Sequence, residues 1–342
     1  VAVPEEPSGE ERAGRCHEGR PASIRVSARA TVKLPVMRLV FAGTPQVAAD
    51  TLAALLASAR HEVVAVLTRP DAPQGRSSRP VPSPVARLAA EHGLEVLRPS
   101  RASDPALAAR LAELAPDCCP IVAYGGLIPR PLLGLPAHRW VNVHYSLLPR
   151  WRGAAPVQHA ILAGDDVTGV TVFELVEELD AGPVLASAEY PLGPDETAGT
   201  ALAALTGLGA RVLSGTLDAL EEGTAVARPQ PEDGVTLAPK LTVAGARIDW
   251  TQPAAAIDRQ VRANNPSPVA WTELDGERFR VLAAVPAADA GLAPGELRPG
   301  KREVLVGTGS GSLELDLVQP AGKRPLAAAD WGRGLRGERR FG

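Results

Sequence analysis

Short apolar runs alternate with helical segments from residue 37 to residue 222, and this alternation constrains the fold more than any other feature of the chain. The run MRLVFA at 37–42 is followed by a turn and an alanine-rich stretch with helical spacing. The same order of strand and then helix recurs along the segment. Because neighbouring parallel strands are joined by crossover helices, the pattern predicts an α/β fold with a doubly wound, mostly parallel, Rossmann-like sheet.

The apolar and β-branched runs of this segment define seven expected strands. They lie at 37–42, 62–67, 94–97, 118–124, 140–143, 167–174 and 183–190. Helices are expected at 47–59, 84–92, 105–115 and 197–222, and Pro131 and Leu132 are expected to open a short helical turn. Ligands bind at the carboxyl ends of the strands in such sheets. We therefore expect Gly43, Arg69, Tyr124 and the loop 144–153 to share one edge.

The chain changes character after residue 227. Residues 228–241, RPQPEDGVTLAPKL, are rich in proline and polar residues, which indicates a linker. A helical stretch at 253–263 then precedes several short apolar runs separated by Gly and Pro turns. These runs lie at 270–274, 278–283, 303–307 and 312–318. The pattern predicts a small, OB-like β-barrel. We expect one domain at 37–227 and a second at 242–342.

Residues 1–36 differ from the rest because they lack hydrophobic periodicity and mix six basic with five acidic residues. They contain no apolar segment typical of a secretory signal, and their glutamates argue against a mitochondrial transit peptide. Met37 is the only methionine of the chain and stands at the first expected strand. We therefore expect a disordered leader, upstream of the true start, with the folded protein beginning at Met37.

Composition narrows the possible classes of protein. With 45% hydrophobic and 22% charged residues the chain resembles an ordinary globular protein, and we expect no run of about 18 apolar residues that would span a membrane. Three cysteines, two of them adjacent, cannot form a disulfide framework, and no spacing of the residues resembles a zinc site. The net charge of -3 requires any RNA contact to come from a local patch. We expect a cytoplasmic monomer that binds neither a metal nor a membrane.

Asn142, His144 and Asp180 form the best candidate site. Asn142 and His144 are two apart on one expected strand, so their side chains share a face, and Asp180 follows the next strand in a tight turn. An isolated pair of this kind is more often part of a core. An imidazole oriented by a carboxylate can nevertheless accept a proton, and an amide can donate to a developing oxyanion. Since Ser146 lies outside any G-x-S-x-G elbow, the nucleophile should be the acceptor substrate.

The stretch NVHYSLLPRWRGAAPVQ at 142–158 resembles the signature of the 10-formyltetrahydrofolate-dependent formyltransferases, in particular those that act on methionyl initiator tRNA. Other stretches resemble that family in the same order. They are FAGTP at 41–45, RPDAPQGR at 69–76, VPSPV at 81–85, VAYGGLIP at 122–129, TGVTVFELVEELDAGPVL at 168–185, DETAG at 195–199, KLTVAGARIDW at 240–250, RANNPSPVAW at 262–271 and LVQPAGKRPL at 317–326. The resemblance covers both expected domains.

The resemblance implies transfer of a formyl group from the folate N10 to the α-amino group of methionine on initiator tRNA, for translation initiation. By position, Asn142 would bind the formyl oxygen, His144 would take the proton of the amine, and Asp180 would hold His144 and assist proton transfer to the leaving nitrogen. The folate would contact two stretches. These are Ser146, Leu147, Leu148 and Pro149 in one loop, and Val122, Ala123, Tyr124 and Gly125 around the pterin, mainly through their backbone.

The resemblance also implies contacts to tRNA. Arg76, in the loop 69–84, matches the basic residue by which the family senses the unpaired acceptor end, with Arg69 and Arg79 beside it. The chain has Ser77 and Ser78 where the family often continues with basic residues, which lowers the charge of the loop. The second domain would bind tRNA, assisted by Lys323 and Arg324 in a basic tail at 321–342. On charge alone, that tail is equally consistent with a solvated terminus.

Three alternatives remain open on the sequence. A glycinamide ribonucleotide or amino-sugar formyltransferase would share the catalytic domain, but its small acceptor would need neither the loop 69–84 nor a basic barrel. A deformylating hydrolase would share the polar trio and have no use for the barrel. A folate- or RNA-binding module would have no reason to keep a base beside an oxyanion donor.

Overall fold

The alternating pattern of residues 37–222 forms alternating strands and helices in the computed structural model, which describes residues 36–73 and 79–342. The expected leader, up to residue 35, and Arg76 with its neighbours at 74–78 lie outside the described residues. In chain order the first half contains β1 (Met37–Gly43), α1 (Gln46–Leu56), β2 (His61–Leu67), β3 (Ala72–Pro73), β4 (Pro80–Val81), α2 (Pro84–Glu91), β5 (Glu95–Leu97), α3 (Pro105–Leu114), β6 (Cys119–Val122), α4 (Arg130–Leu133), β7 (Trp140–His144), α5 (Pro156–Ala163), β8 (Val167–Glu174), β9 (Val184–Pro191) and α6 (Ala198–Glu221).

Seven of these strands form one sheet in the order β5-β2-β1-β6-β7-β8-β9. The pairs from β5 to β7 are parallel, whereas β7 with β8 and β8 with β9 are antiparallel. The predicted mostly parallel sheet is therefore confirmed. The antiparallel end was not predicted, because strand direction depends on how distant segments pair.

Helices cover both faces of this sheet, and the alternation of side chains along β1 accounts for the two layers. Leu39 and Phe41 pack into a core that includes residues of α1, α2 and α6. Val40 and Ala42 point the other way, into a core that includes residues of α3 and α4. Because both faces of β1 are buried, its sequence is a continuous apolar run rather than an alternation of apolar and polar residues.

Helix α6, with 24 residues, covers one of these faces. Its N-terminus is capped by Thr197, whose side-chain oxygen accepts a hydrogen bond from Thr200 N at 3.2 Å. By length and composition this helix could cross a bilayer, which the sequence-based expectation of no such segment overlooked. We interpret it as a core helix, because Ala201, Leu205 and Leu213 are fully buried in the core beneath it.

The second half forms an antiparallel, barrel-like sheet, as predicted. Its elements are α7 (Ala254–Ala263), β10 (Trp271–Leu274), β11 (Glu277–Ala287), β12 (Glu296–Pro299), β13 (Val304–Gly307), β14 (Ser312–Gln319), β15 (Leu326–Ala327), α8 (Ala328–Gly332) and β16 (Arg339–Arg340). The strands pair in the order β10-β11-β14-β13-β12-β16, and β15 pairs with β14. The elements β12, β15, α8 and β16 were not predicted, since such short segments have little pattern of their own.

The C-terminal segment 321–342 is part of this sheet rather than the tail that its charge suggested. Its last strand, β16, pairs with β12. Phe341 is buried and stacks on Trp250 with ring centroids 5.1 Å apart. Arg339 bonds to Asp275 at 2.8 Å. The segment is therefore held by pairing and aromatic packing, and part of its positive charge is neutralised locally.

Helix α7 joins the two halves of the described chain. Arg259 Nε donates to Leu162 O at 3.2 Å, directly before the end of α5. Arg262 Nη1 donates to Glu196 O at 3.2 Å, and Gly199 N donates to Asn265 O at 3.0 Å near the start of α6. These contacts fix the barrel against the helical layer of the first half.

Candidate active site

Asn142 and His144 share one face of β7, as their spacing predicts. Val141 and Val143, which alternate with them, point into the core that includes residues of α1 and α6. Trp140, which shares their parity, packs into the opposite core. His144 is buried and Asn142 is partly exposed. The strand therefore presents an amide and an imidazole side by side.

Asp180 lies against His144 and against the loop that follows β7. Its Oδ2 atom is 3.7 Å from His144 Nδ1. The same oxygen accepts a hydrogen bond from the backbone N–H of Gly153 at 2.8 Å. The separation from His144 allows an electrostatic interaction but is longer than a hydrogen bond. The structure thus brings the predicted trio together around one imidazole.

The backbone path that brings Asp180 to His144 differs from the one that the sequence predicts. Because β8 runs antiparallel to β7, its last residue, Glu174, pairs with Val141 rather than with His144. The loop 175–183 must therefore fold back along the sheet to bring Asp180 to His144. Gly182 permits this return, since a Cβ atom there would lie 1.7 Å from Glu174 O. Asp180 therefore reaches the ligand edge beside His144 from within this loop, rather than from the end of a strand.

The two ring nitrogens of His144 have different partners. Nε2 lies 2.8 Å from the carbonyl oxygen of Trp151. A carbonyl only accepts, so we assign the proton of the neutral ring to Nε2. Nδ1 then carries the free lone pair on the side of Asp180. The arrangement makes Nδ1 the proton-accepting atom, and the carboxylate stabilises the imidazolium that results.

Burial lowers the pKa of His144 below its usual value. The negative charge of Asp180 and the hydrogen bond to Trp151 oppose this shift without cancelling it. The ring is therefore neutral near pH 7 and can accept a proton. Within the described residues, the side-chain amide of Asn142 makes no intramolecular hydrogen bond, which leaves its N–H groups free to donate.

The edge at the carboxyl ends of β1, β2 and β6 forms as predicted. Thr44 Oγ1 donates to Tyr124 O at 2.8 Å, and Arg69 N donates to Thr44 Oγ1 at 3.4 Å. Val122 and Tyr124 are buried, whereas Ala123 and Gly125 are exposed and have left-handed φ angles. The segment therefore offers main chain and small side chains to a ligand, and the side chains of Val122 and Tyr124 belong to the core.

The loop 146–150 is fastened to β8 by Thr171. Thr171 Oγ1 donates to Ser146 O at 2.7 Å and accepts from Leu148 N at 3.1 Å. Ser146 is fully buried, and its hydroxyl donates to Arg150 O at 2.6 Å. The Ser146 side chain is thus occupied within the loop, and the contact of this residue with the folate stays a prediction. Leu147, Leu148 and Pro149 remain partly exposed.

The predicted tRNA contacts are spread over both halves of the chain. Arg76 lies outside the described residues, while Arg69 and Arg79 are exposed on either side of the undescribed stretch. Lys323 and Arg324 are exposed in the turn between β14 and β15. Arg69, Lys323 and Arg324 form no ion pair with a carboxylate of the described residues.

Sequence reasoning missed the residues that hold the trio in position. Trp151 and Gly153 bond to His144 and Asp180 through their backbone, and their motif at 150–153 had been noted only as a resemblance. Gln230 and Thr236 come from the expected linker, where no sequence signal pointed to them. In residues 36–73 and 79–342, no group of three or more His, Cys, Asp or Glu side chains could hold a metal ion.

Comparisons with known proteins extend along nearly all of the described chain. The family model described as formyl transferase matches residues 37–217, and the model described as formyl transferase, C-terminal domain, matches residues 240–336. The methionyl-tRNA formyltransferase of Streptomyces coelicolor is 56% identical over 301 residues, which are 88% of this chain and 97% of that protein. The methionyl-tRNA formyltransferase of Thermobifida fusca has the same identity and coverage.

Solved structures share the fold at lower identity. The sugar 3N-formyl transferase WlaRD, solved in the presence of dTDP and 5-N-formyl-THF, gives a TM-score of 0.62 at 13% identity and covers 84% of this chain and 99% of its own. HypX from Aquifex aeolicus in complex with tetrahydrofolic acid gives a TM-score of 0.61 at 21% identity, over 86% of this chain and 46% of its own.

Proposed function

The chain belongs to the formyl transferase family, and we propose that it transfers the formyl group of 10-formyltetrahydrofolate to the α-amino group of methionyl initiator tRNA. The observation that carries this proposal is the 56% identity to a methionyl-tRNA formyltransferase over 97% of that relative's length. Because the match includes the second half, it favours the tRNA substrate over a small acceptor. The proposal also includes a cytoplasmic monomer, with domains at 37–227 and 242–342 joined by the linker 228–241.

The polar trio supports acyl-type transfer by direct attack of the amine. The folate co-substrate supplies the formyl group, and the nitrogen of the acceptor forms the new bond to its carbon. Asn142 donates to the formyl oxygen as that oxygen becomes an oxyanion, which an amide without an internal partner can do. The tetrahedral intermediate then collapses with cleavage of the bond from carbon to N10.

Proton movement in this proposal runs through His144. Its Nδ1 atom takes the proton that the attacking amine loses, since Nε2 is engaged by Trp151 O. The carboxylate of Asp180, 3.7 Å away, stabilises the charge that the ring acquires. His144 returns the proton to N10 as the leaving nitrogen departs, and the base is regenerated.

Binding surfaces for the two substrates follow from exposure and charge. The folate is proposed to lie against the main chain of Ala123 and Gly125 and against Leu147, Leu148 and Pro149, all at least partly exposed. Ser146, Val122 and Tyr124 stay in the proposed set, although they are buried. The acceptor end of the tRNA is proposed to contact the basic residues of both halves, because phosphate contacts require accessible cations. These are Arg69, Arg79, Lys323 and Arg324, which are exposed, together with Arg76, which lies outside the described residues.

A transfer assay with labelled 10-formyltetrahydrofolate tests the proposal. The acceptors are charged initiator tRNA, charged elongator methionine tRNA and a nucleotide-linked amino sugar. The expected result is rapid formylation of the initiator and slow formylation of the elongator. Formylation of the amino sugar with neither tRNA labelled would overturn the proposal, and equal rates on the two tRNAs would overturn its specificity for the initiator.

A further inference from the structure

Part of the expected linker lies directly on the loops that hold His144 and Asp180. We call residues 228–238 the strap. At one end Arg228 and Val184 exchange backbone hydrogen bonds of 2.8 and 2.7 Å, next to the loop of Asp180. At the other end Leu237 forms a parallel bridge with Arg152. The strap is thus attached to the first half on both sides of the candidate site.

Gln230 bonds to the backbone on either side of the Asp180 turn. Its Nε2 atom donates to Asp180 O at 2.8 Å and to Gly182 O at 2.9 Å. Its Oε1 atom accepts from Arg152 Nε at 3.1 Å and Arg152 Nη2 at 2.7 Å. The Arg152 side chain is only 11% exposed and Gln230 is half-buried, so this network is partly buried. Both ends of the Gln230 amide are therefore in use.

Gln230 bonds to a stretch of backbone that has an unfavourable conformation. Asp180 has a φ angle of +47°, which is unfavourable for a residue other than glycine and persists only where the surroundings fix it. The carbonyls of Asp180 and Gly182 are two of the groups that define this turn. Because the turn sets the direction of the Asp180 side chain, Gln230 controls how far its carboxylate lies from His144.

Thr236 holds the other loop, at 151–155. Its Oγ1 atom accepts from Trp151 N at 2.8 Å, and its carbonyl accepts from Arg152 N at 2.9 Å. Ala238 continues the pairing, and its oxygen would lie 2.8 Å from a Cβ atom at position 153, so the strap requires glycine there. Trp151 O bonds to His144, and Gly153 N bonds to Asp180. The loop 151–155 is therefore held between the strap on one side and His144 and Asp180 on the other.

We propose that the strap supplies two positioning residues of the active site, Gln230 acting on Asp180 and Thr236 acting on His144 through Trp151. Neither residue touches the reacting atoms. The inference deepens the proposed function and rests on it, since it concerns the geometry of the same trio. The strap, which connects the two halves of the chain, is in this proposal a functional component of the active site in the first half.

The variant Gln230→Met tests the first half of this proposal. Methionine has a similar length but removes both donors and the acceptor, so the Asp180 turn loses its support. We expect kcat to fall about tenfold or more, because small displacements of catalytic groups are costly, while KM for either substrate changes by less than about twofold. The acid limb of kcat against pH moves to lower pH, since Asp180 raises the pKa of His144.

Two controls separate positioning from general damage. Gln252→Met makes the same chemical change at an exposed site whose amide bonds only to Asp249, and it should leave kcat unchanged. In the Asp180→Asn background, Gln230→Met should add less than about a twofold loss, because residues that act through one another are not additive. A full additional tenfold loss in that background would overturn the proposal.

Hydrogen exchange of the Gly153 amide tests the geometry without any activity. In Gln230→Met this amide should exchange faster, because its acceptor on Asp180 has moved, and in Gln252→Met it should not. Unchanged exchange would overturn the role of Gln230, whereas failure of wild type to formylate methionyl initiator tRNA would overturn only the proposed function. Should Gln230→Met fail to fold, Thr236→Val tests the second half of the proposal, because it keeps the side-chain shape and removes the acceptor of Trp151 N. We expect kcat to fall and its acid limb to move to lower pH, since the hydrogen bond to Trp151 raises the pKa of His144, and an unchanged pH profile would overturn the proposal.

Discussion

At the scale of single residues, the site depends on His144 having one nitrogen engaged and the other free. The hydrogen bond from Nε2 to Trp151 O fixes the tautomer, and burial keeps the ring neutral. Asp180 acts against burial, because its charge favours the protonated ring. The balance between burial and this carboxylate sets the pH at which the base is lost by protonation.

The variant Asp180→Asn tests this balance. Removing the carboxylate leaves burial to dominate, so the pKa of His144 falls further and the acid limb of kcat/KM moves to lower pH. At neutral pH we expect kcat to fall by about 10²-fold, because the imidazolium loses its stabilising charge. The measurement is a pH profile of formyl transfer, and an acid limb that moves to higher pH would contradict the assignment.

At the scale of secondary-structure elements, the loop between β8 and β9 is the part that completes the site. It must reverse direction immediately after Glu174, and Gly182 lies so close to Glu174 O that no side chain fits. The site therefore depends on a backbone turn as much as on the chemical groups that the turn carries.

The variant Gly182→Ala tests this dependence. The added methyl group would displace the turn and with it Asp180, and we expect kcat to fall about 10²-fold, the loss expected for a misplacement on the order of 1 Å. Gly215→Ala, in α6, is the matched control, because it adds the same methyl group where no atom beyond the helix's own backbone lies within 4 Å. Full activity of Gly182→Ala would contradict the account.

Sequence patterns predicted most elements of the first half, because those patterns are local. The strand expected at 167–174 is β8 itself, and the helix expected at 197–222 differs from α6 only by its two caps. The route of Asp180 was not predictable, since it follows from the antiparallel pairing of β7 with β8. The same holds for Gln230, whose bonds to residues about 50 positions earlier leave no periodic signal.

At the scale of the whole molecule, the second half combines a closed aromatic core with exposed cations. Phe341 lies in the segment 321–342, whose charge was equally consistent with a solvated terminus. Its ring stacks with Trp250 and has its centroid 5.1 Å from that of Phe279. The charge of this region was readable from the sequence, but its packing was not, because β16 exists only through its pairing with β12.

Substitution of Lys323 and Arg324 by alanine tests the proposed tRNA surface. Both side chains are exposed and form no ion pair with a described carboxylate, so their removal should leave stability unchanged. We expect weaker tRNA binding and a shallower dependence of log Kd on log salt, by about one counterion per lost phosphate contact. Lys301→Ala, in another exposed turn of the barrel, is the matched control. An unchanged salt dependence would exclude these two residues from the interface.

The most direct test of the central claim is the single-turnover rate of formyl transfer to methionyl initiator tRNA by wild type and by Asn142→Ala. The amide has no internal partner to lose, so the variant should fold normally and bind both substrates as wild type does. Its only expected defect is the missing donor to the oxyanion, which should slow the chemical step by about 10²–10³-fold. A rate within about twofold of wild type would contradict the proposed mechanism, because the loss of an oxyanion donor slows the chemical step by far more than that.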